Sequence, residues 1–325
     1  NYRPPKTVND ITSHASEFIE PLQRMARTDA LYATAYQAVL DGVLGKTETN
    51  GVTGNKYFWR SEFSSHLRDE YGIFTRLNSS RTFGAELRTS YRDELGNPVY
   101  WNAMGSTAIQ VNNREYLDLG PAFDWWHYPG VTAPNVKRTE RGFENRGRNG
   151  DGGSFTGGTS NGEFGASVLT LDTAGTAAQK SYFSFDEGMV ALGTGIASTS
   201  DAAVHTTINQ AAAKPNASVG GRPVAGGTDQ QGVGSATWAY NDEVGYVFAA
   251  GQDVKVSNKT QSGSWEGEEA ISRDAFSLYV DHGAKPAAGT YDYTVLPAAT
   301  PAEVEAYAAK PTIRTLRNDA AVQAV

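Results

Sequence analysis

Gln179-Lys-Ser-Tyr-Phe-Ser-Phe-Asp-Glu-Gly-Met-Val-Ala-Leu-Gly-Thr-Gly-Ile196 is the stretch whose reading decides the fold. Ser181-Tyr-Phe-Ser-Phe185 sets serines among aromatics, the pattern of a half-buried strand. Met189 to Ile196 follows as an apolar run. Similar β-type runs, bounded by turns, lie on both sides: Tyr57-Phe58-Trp59, Tyr71 to Leu77, Val99-Tyr-Trp101, Thr107 to Val111, Ser167 to Leu171, Ser235 to Tyr240, Gly245 to Ala249, Phe276 to Val280 and Tyr291 to Leu296. Short strands parted by irregular loops predict a mainly β chain with packed antiparallel sheets over 55–297, a large multi-sheet β-sandwich.

The remaining segments frame that sandwich. Residues 9–45 read as two helices, with Asn9 or Asp10 as the N-cap and Ile11, Phe18, Ile19, Leu22 and Met25 at helical spacing. Two helices cannot bury both apolar faces alone, so they require a partner. Lys46 to Gly54 is a polar linker. Tyr116 to Thr132 packs Trp125, Trp126 and Tyr128 ahead of a Pro129-Gly130 reversal and reads as a core strand followed by a tight turn. Residues 138–163, rich in Gly, Arg and Asn, read as one long loop. Residues 198–232 read as a second irregular stretch. Thr300 to Ala309 reads as a short helix with acids in its first turn, inside a 298–325 tail. No repeat of 20–50 residues is visible.

Composition narrows the function classes. The chain has 325 residues, 39% hydrophobic and 20% charged, which is globular rather than disordered. Its net charge of −8 argues against sequence-independent nucleic-acid binding. No run approaches the length needed to span a bilayer. Cysteine is absent, which removes disulfides, thiolate metal sites and cysteine nucleophiles. A start at Asn1 without methionine reads as a processed or cleaved product. The histidines lack metal-ligand spacing. No cofactor is expected, though acid-rich loops offer oxygen ligands for structural calcium.

Ionisable residues concentrate between Trp59 and Trp101: His66, Arg68, Arg76, Arg81, Glu86, Arg88, Asp93 and Glu94. Arginines in this density suit a carboxylate or sulfate ligand. The bland alternative is a set of solvated strand faces with weak ion pairs.

Several motifs resemble polysaccharide lyase family 8, whose members cleave hyaluronan, chondroitin and xanthan. Gln179 to Ile196 is similar to the family's Lys-Ser-Trp-Phe block. Phe58-Trp-Arg-Ser-Glu-Phe-Ser-Ser-His-Leu-Arg68 and Arg76-Leu-Asn-Ser-Ser-Arg-Thr82 resemble the opening strands of its β-domain. Asp124 to Thr132 resembles an aromatic signature of that domain. Tyr279-Val-Asp-His-Gly283 and Tyr291 to Pro297 resemble strands near the domain's end. The resemblance covers about 55–325 and implies that 1–50 are the last helices of an α/α-toroid, with 298–325 leading toward a small C-terminal β-domain.

By that resemblance the full enzyme performs β-elimination on a uronic-acid polysaccharide. Its main acid/base residues would lie upstream, on the toroid, as segment or chain of the same enzyme. Glu94 stands near the family's β-domain glutamate, with Leu95 where asparagine is expected, and Glu86 is the competing position. The substrate-binding residues implied are His66, Arg68, Arg76, Arg81, Arg88, Trp101 and Asn102. The expected partner is an acidic polysaccharide and the expected location extracellular, secreted from a bacterium or periplasmic. Two rivals stand beside this reading. One is a non-catalytic carbohydrate-binding sandwich. The other is a hydrolase using Asp93/Glu94 or Asp186/Glu187, disfavoured because adjacent strand residues point to opposite faces.

Overall fold

Among the described residues, three antiparallel sheets and a terminal two-stranded hairpin, built from strands rich in β-branched and aromatic residues, form the fold. The computed structural model describes residues 17–44, 46, 52–82, 103–112, 115–116, 119–136, 153–173, 175–264 and 269–325. Helices α1 (Ile19–Thr28) and α2 (Ala33–Val43) pack on each other ahead of the sheets. Met25 on α1, Phe18 just ahead of it, and Leu31 and Tyr32 in the connection between the helices remain exposed.

The first sheet is a four-stranded meander of β1 (Gly54–Phe58), β2 (Phe63–Leu67), β3 (Gly72–Arg76) and β4 (Ser106–Gln110). The remaining strands form two larger sheets and a terminal hairpin. In chain order they are β5 (Thr132–Pro134), β6 (Thr156–Ser160), β7 (Gly165–Thr173), β8 (Thr176–Phe185), β9 (Gly188–Ser198), β10 (Ala203–Ala212), β11 (Ser218–Val219), β12 (Arg222–Pro223), β13 (Thr228–Gly232), β14 (Trp238–Asn241), β15 (Val244–Phe248), β16 (Val254–Gly263), β17 (Ile271–Ala284), β18 (Gly289–Pro297), β19 (Arg317–Asn318) and β20 (Gln323–Ala324). The five-stranded sheet runs β13-β16-β17-β10-β5, and the nine-stranded sheet runs β12-β11-β14-β15-β18-β9-β8-β7-β6.

One apolar core joins these sheets. Ile208, Val256, Phe276 and Leu278 from the five-stranded sheet cluster with Ala191, Tyr246, Tyr293 and Val295 from the nine-stranded one. Tyr246 and Phe276 stack across the gap at 6.3 Å. Trp125, Trp126 and Tyr128 join the core, at 4%, 4% and 1% exposure, so the aromatic segment is interior as its sequence suggests. The run Met189–Leu192 is buried on both faces of β9. Beside it, on the outer face, the β19–β20 hairpin lies against the sheet, where Asn318 Nδ2 donates to Gly193 O and Tyr291 O. Continuous apolar patterning is the expected result of such double cover.

Helix α3 (Pro301–Ala309) begins at a capping box between Thr300 and Glu303. It buries Val304 on Trp238, Tyr240, Val247 and Leu296, a burial worth roughly 1.5–3 kcal/mol.

Three expectations from sequence are corrected. The segment 116–132 is interior but is not a core strand, because its described residues run through a 3-10 turn at Gly120–Ala122 and further turns before β5 begins at Thr132. Residues 138–163 are not one loop, because Thr156–Ser160 pairs with β7 as an edge strand. Residues 198–232 are not irregular throughout, because Ala203–Ala212 is an interior strand between β17 and β5. Its polar side chains hid it. They are buried and hydrogen-bonded: Thr206 to Thr132 and His282, Asn209 to Tyr116 and Tyr246, and Gln210 to the backbone at Asp124 and His127. Satisfied buried polar groups do not disrupt a strand, but they erase its apolar alternation.

Candidate functional site

The β2–β3 hairpin separates its ionisable residues into two groups. Phe63 pairs with Arg76 at one end and Leu67 with Gly72 at the other. At about 3.3 Å per residue, these ends are on the order of 13 Å apart.

At the first end sits Glu62, with 0% exposure and a left-handed backbone at φ 51°. That conformation costs on the order of 1 kcal/mol for a residue with a Cβ, and Leu77 N, donating to Glu62 O at 2.8 Å, helps hold it. The carboxylate is fully engaged. Ser79 Oγ and Thr82 Oγ1 each donate to it, and Arg81 Nη2 donates to Oε1 at 2.7 Å. Arg81 Nη2 also donates to Thr156 O at 3.1 Å, and its Nε to Ser79 Oγ at 3.3 Å. A guanidinium carries five N–H groups. Both on Nη1 have no acceptor among the described residues, and the Arg81 side chain is 58% exposed. Arg81 is thus anchored on one edge and open on the other. Arg76, nearby on the outward face of β3 with Phe74 two residues before it, has no side-chain partner among the described residues. On the same outward face Phe63 stacks on Phe74 at 6.1 Å, and Phe58 and Trp59 are exposed.

At the second end, His66 is 1% exposed. Its Nε2 lies 2.8 Å from Phe185 O, and Asn55 Nδ2 lies 3.4 Å from its Nδ1. Burial, with the Arg68 charge adding, pulls its pKa down to about 4, so the imidazole is neutral near pH 7. Tyr71 Oη donates to Phe185 O and Asp186 O, and burial raises its pKa. Arg68 pairs with Asp186 at 2.7 Å and donates to Glu163 O. These contacts tie the small sheet to the β8–β9 turn. The rival carboxylate pair is separated here, since Asp186 faces Arg68 while Glu187 accepts from Thr312 Oγ1 at 3.0 Å.

The sequence-derived site residues therefore fall into three sets. Arg81 is held on Glu62, and Arg76 stands at the same end of the hairpin, opposite Phe63 in the register. His66 and Arg68 stand at the opposite end of the hairpin, inside a sheet-to-sheet junction. Glu86, Arg88, Glu94, Trp101 and Asn102 lie outside the described residues. Glu62 was missed, although both halves of its cluster, Arg60-Ser-Glu62 and Ser79-Ser-Arg-Thr82, stand in the motifs quoted above. Joining them needed the hairpin register.

A further polar cluster flanks the aromatic segment. His127 Nδ1 meets Asp124 Oδ2 at 2.8 Å, and the His127 and His205 rings lie 5.7 Å apart. His205 stacks on Tyr279 at 4.3 Å, and burial first, then the His127 charge, lowers its pKa to about 4. Among the described residues, no group of three or more His, Asp or Glu has a metal-holding arrangement.

Residues 53–308 match the model of polysaccharide lyase family 8, super-sandwich domain. The chain belongs to polysaccharide lyase family 8. Within that family it is 30% identical to chondroitinase-AC of Pedobacter heparinus over 306 residues, 90% of this chain and 40% of the relative. It is 29% identical to hyaluronate lyase of Thermasporomyces composti, over 89% of this chain and 39% of the relative. The fold overlays a solved chondroitinase AC lyase, studied as oligosaccharide complexes, with a TM-score of 0.80 at 26% identity, covering 95% of this chain and 46% of that one. This family 8 chain thus spans about 40% of the length of those two curated relatives.

Proposed function

We propose that this chain is the β-sandwich portion of a secreted polysaccharide lyase that cleaves a uronic-acid polymer by β-elimination. The match of residues 53–308 to the family's super-sandwich domain carries the reading. Relatives named for chondroitin, hyaluronan and xanthan support an acidic polysaccharide as substrate.

The chemistry divides between two walls of a groove. A uronate C5 proton becomes acidic enough to remove only when its carboxylate is neutralised by hydrogen bonds or cations. A base then takes that proton, and an acid protonates the departing glycosidic oxygen. In our reading those proton-moving groups sit on a preceding α/α-toroid, of which α1 and α2 are the last helices. The exposed apolar residues Phe18, Met25, Leu31 and Tyr32, on and between these helices, support a partner there. The sandwich supplies cations and aromatic faces. Arg81 presents Nη1 to substrate carboxylate or sulfate while Glu62 fixes its other edge. Arg76 offers a second cation, with Phe58 and Trp59 exposed beside it. Glu94, or Glu86, orients a catalytic group across the junction, and Arg88, Trp101 and Asn102 extend the binding wall.

The test uses hyaluronan, chondroitin sulfate and xanthan, with the chain alone and joined to the sequence that precedes it in its gene. Ultraviolet absorbance of the conjugated 4,5-unsaturated end is followed. Product from the joined protein and none from the chain alone is the expected pattern. No absorbance in either case, with polymer binding retained, would instead identify a non-catalytic carbohydrate-binding module.

A further inference from the structure

Strands β1 to β4 contain no Asp or Glu, in a chain whose net charge is −8. Strand alternation gives their sheet two unlike faces. Asn55, Ser64, His66, Ile73 and Thr75 turn inward and are buried. Lys56, Phe58, Phe63, Phe74 and Arg76 turn outward; Lys56 and Phe58 are exposed there and the other three half-buried. A contiguous patch of large apolar rings on an outward face marks an interaction surface.

The register sets these side chains in a row. Phe58 lies directly opposite Phe63, and Phe63 directly opposite Arg76. Neighbouring strands stand about 4.8 Å apart, so the row crosses three strands at right angles to them. The Phe58 and Phe63 ring centroids are 6.0 Å apart, and Phe63 stacks on Phe74 at 6.1 Å with 16° between the planes. Lys56 flanks the row, two residues before Phe58 on the same face. Just past the end of β1, Trp59 is 62% exposed, with the Arg60 guanidinium 4.9 Å above its ring. The acid of the β1–β2 turn, Glu62, is buried and engaged by Ser79, Arg81 and Thr82.

An occupant of this face must offer flat apolar surfaces in series, with negative charge between them. A pyranose ring has a C–H face that stacks on an aromatic ring and keeps its polar groups at the rim. A uronate polymer adds carboxylates at regular intervals. A packed helix would instead desolvate Lys56, Arg60 and Arg76 without pairing them, which opposes docking. We propose that this face is a polymer-binding platform in its own right: Phe58, Phe63 and Phe74 stack successive sugars of an acidic polysaccharide laid across the strands, Trp59 extends the row, and Lys56 and Arg76 meet its carboxylates or sulfates. The inference rests on an acidic polysaccharide as ligand, and goes beyond the lyase reading in giving the chain a hold on polymer that needs none of the proton-moving groups.

The experiment uses the 325-residue chain, alone and joined to the sequence that precedes it in its gene. Hyaluronan is the probe, and carboxyl-reduced hyaluronan its neutral counterpart. Affinity is read by titration calorimetry, and unsaturated product separately by ultraviolet absorbance. Phe58→Ala and Trp59→Ala are each expected to weaken hyaluronan binding about three- to tenfold, the size of a lost aromatic stack. Arg76→Gln should weaken it about threefold and make it less dependent on salt. Both rings are exposed, so melting temperatures should stay at the wild-type value. Carboxyl-reduced hyaluronan should bind the wild type and Arg76→Gln equally. A wild type that does not bind hyaluronan overturns the proposal, as do variants that bind it as the wild type does. Variants that weaken binding by the chain alone but not by the joined protein also overturn it, because the preceding segment then covers the face. Where Phe58→Ala does not fold, Trp59→Ala decides alone. Product from the joined protein with no effect of these variants on affinity leaves the lyase reading standing and ends the platform. Binding that depends on Phe58 and Trp59, with no product, does the reverse.

Discussion

Glu62 and Arg81 form an ion pair with opposite exposures: the carboxylate is fully buried, while the guanidinium side chain, 2.7 Å away, is 58% exposed. The buried partner is the structural one. Besides Arg81 it accepts Ser79 and Thr82, so Glu62→Ala strands three donors. We expect a loss of about 2–5 kcal/mol in urea unfolding, chiefly from the two buried hydroxyls left without an acceptor at about 1–3 kcal/mol each. Arg81→Ala leaves both hydroxyls on the carboxylate, and solvent already screens the pair, so its cost is about 1–2 kcal/mol. Its larger effect falls on polymer affinity. Equal destabilisation by the two variants contradicts this division of roles.

Acid should destabilise the fold between about pH 6.5 and pH 4. Burial is the main cause holding His66, His205 and His282 near pKa 4, from an ordinary value of 6.5. Between those values the unfolded chain binds protons that the folded chain excludes, so stability falls as pH drops. The neighbours facing these rings are Arg68 and Asp186 at His66, His127 and Asp281 at His205, and Asp281, His205 and Lys180 at His282. Replacing His66 with Gln should flatten the dependence of melting temperature on pH in that window. Lys180 acts in a higher window with the same sign. Its folded pKa of about 7 lies below the unfolded value. The wild type should therefore gain stability relative to Lys180→Met as pH rises from about 7 to about 10.

Asp186 and Glu187 should be dispensable for reaction. One is committed to Arg68 and the other to Thr312, and Asp186 is 62% exposed at a surface ion pair. The double variant Asp186→Asn, Glu187→Gln should keep turnover within about twofold and cost roughly 0–1 kcal/mol. A hundredfold loss of turnover in a folded double variant revives a carboxylate-pair hydrolase.

How far the sequence could be read depended on which residues faced a second layer. Ser181–Phe185 and Met189–Ile196 were legible because their aromatic and apolar content matches strands that one core buries. The aromatic segment 123–128 was legible as interior for the same reason. Strand β10 was not, because Thr206, Asn209 and Gln210 point into the protein and find partners there. Composition counts such residues as loop formers. Arg81 was legible as a candidate from charge alone, but its anchor Glu62 lies 19 positions earlier and reaches it only through the β2–β3 register. Lys180 shows the same limit. A lysine inside an apolar block reads as solvent-facing until the carbonyls of Met104 and Gly130 are placed beside it.

Gln210 gives the sharpest test of that buried polar layer. Its Oε1 accepts Asp124 N at 2.8 Å, and its Nε2 donates to Asp124 O and His127 O, both at 3.1 Å. One side chain thus fastens both ends of the segment that carries Trp125 and Trp126. Gln210→Leu has nearly the same volume, so it opens no large cavity, but it removes the partners of one buried N–H and two carbonyls. Each such loss costs about 1–3 kcal/mol, partly relieved by water at the half-exposed Asp124, for a total of about 2–4 kcal/mol. Gln210→Glu keeps one acceptor but adds a buried charge facing two carbonyls, so it should destabilise at least as much at pH 7 and less at pH 4. Tryptophan fluorescence during urea unfolding reads both, because Trp125 and Trp126 sit in the affected segment. If Gln210→Leu unfolds at the wild-type midpoint, the segment is held by its aromatic packing alone and the glutamine is incidental.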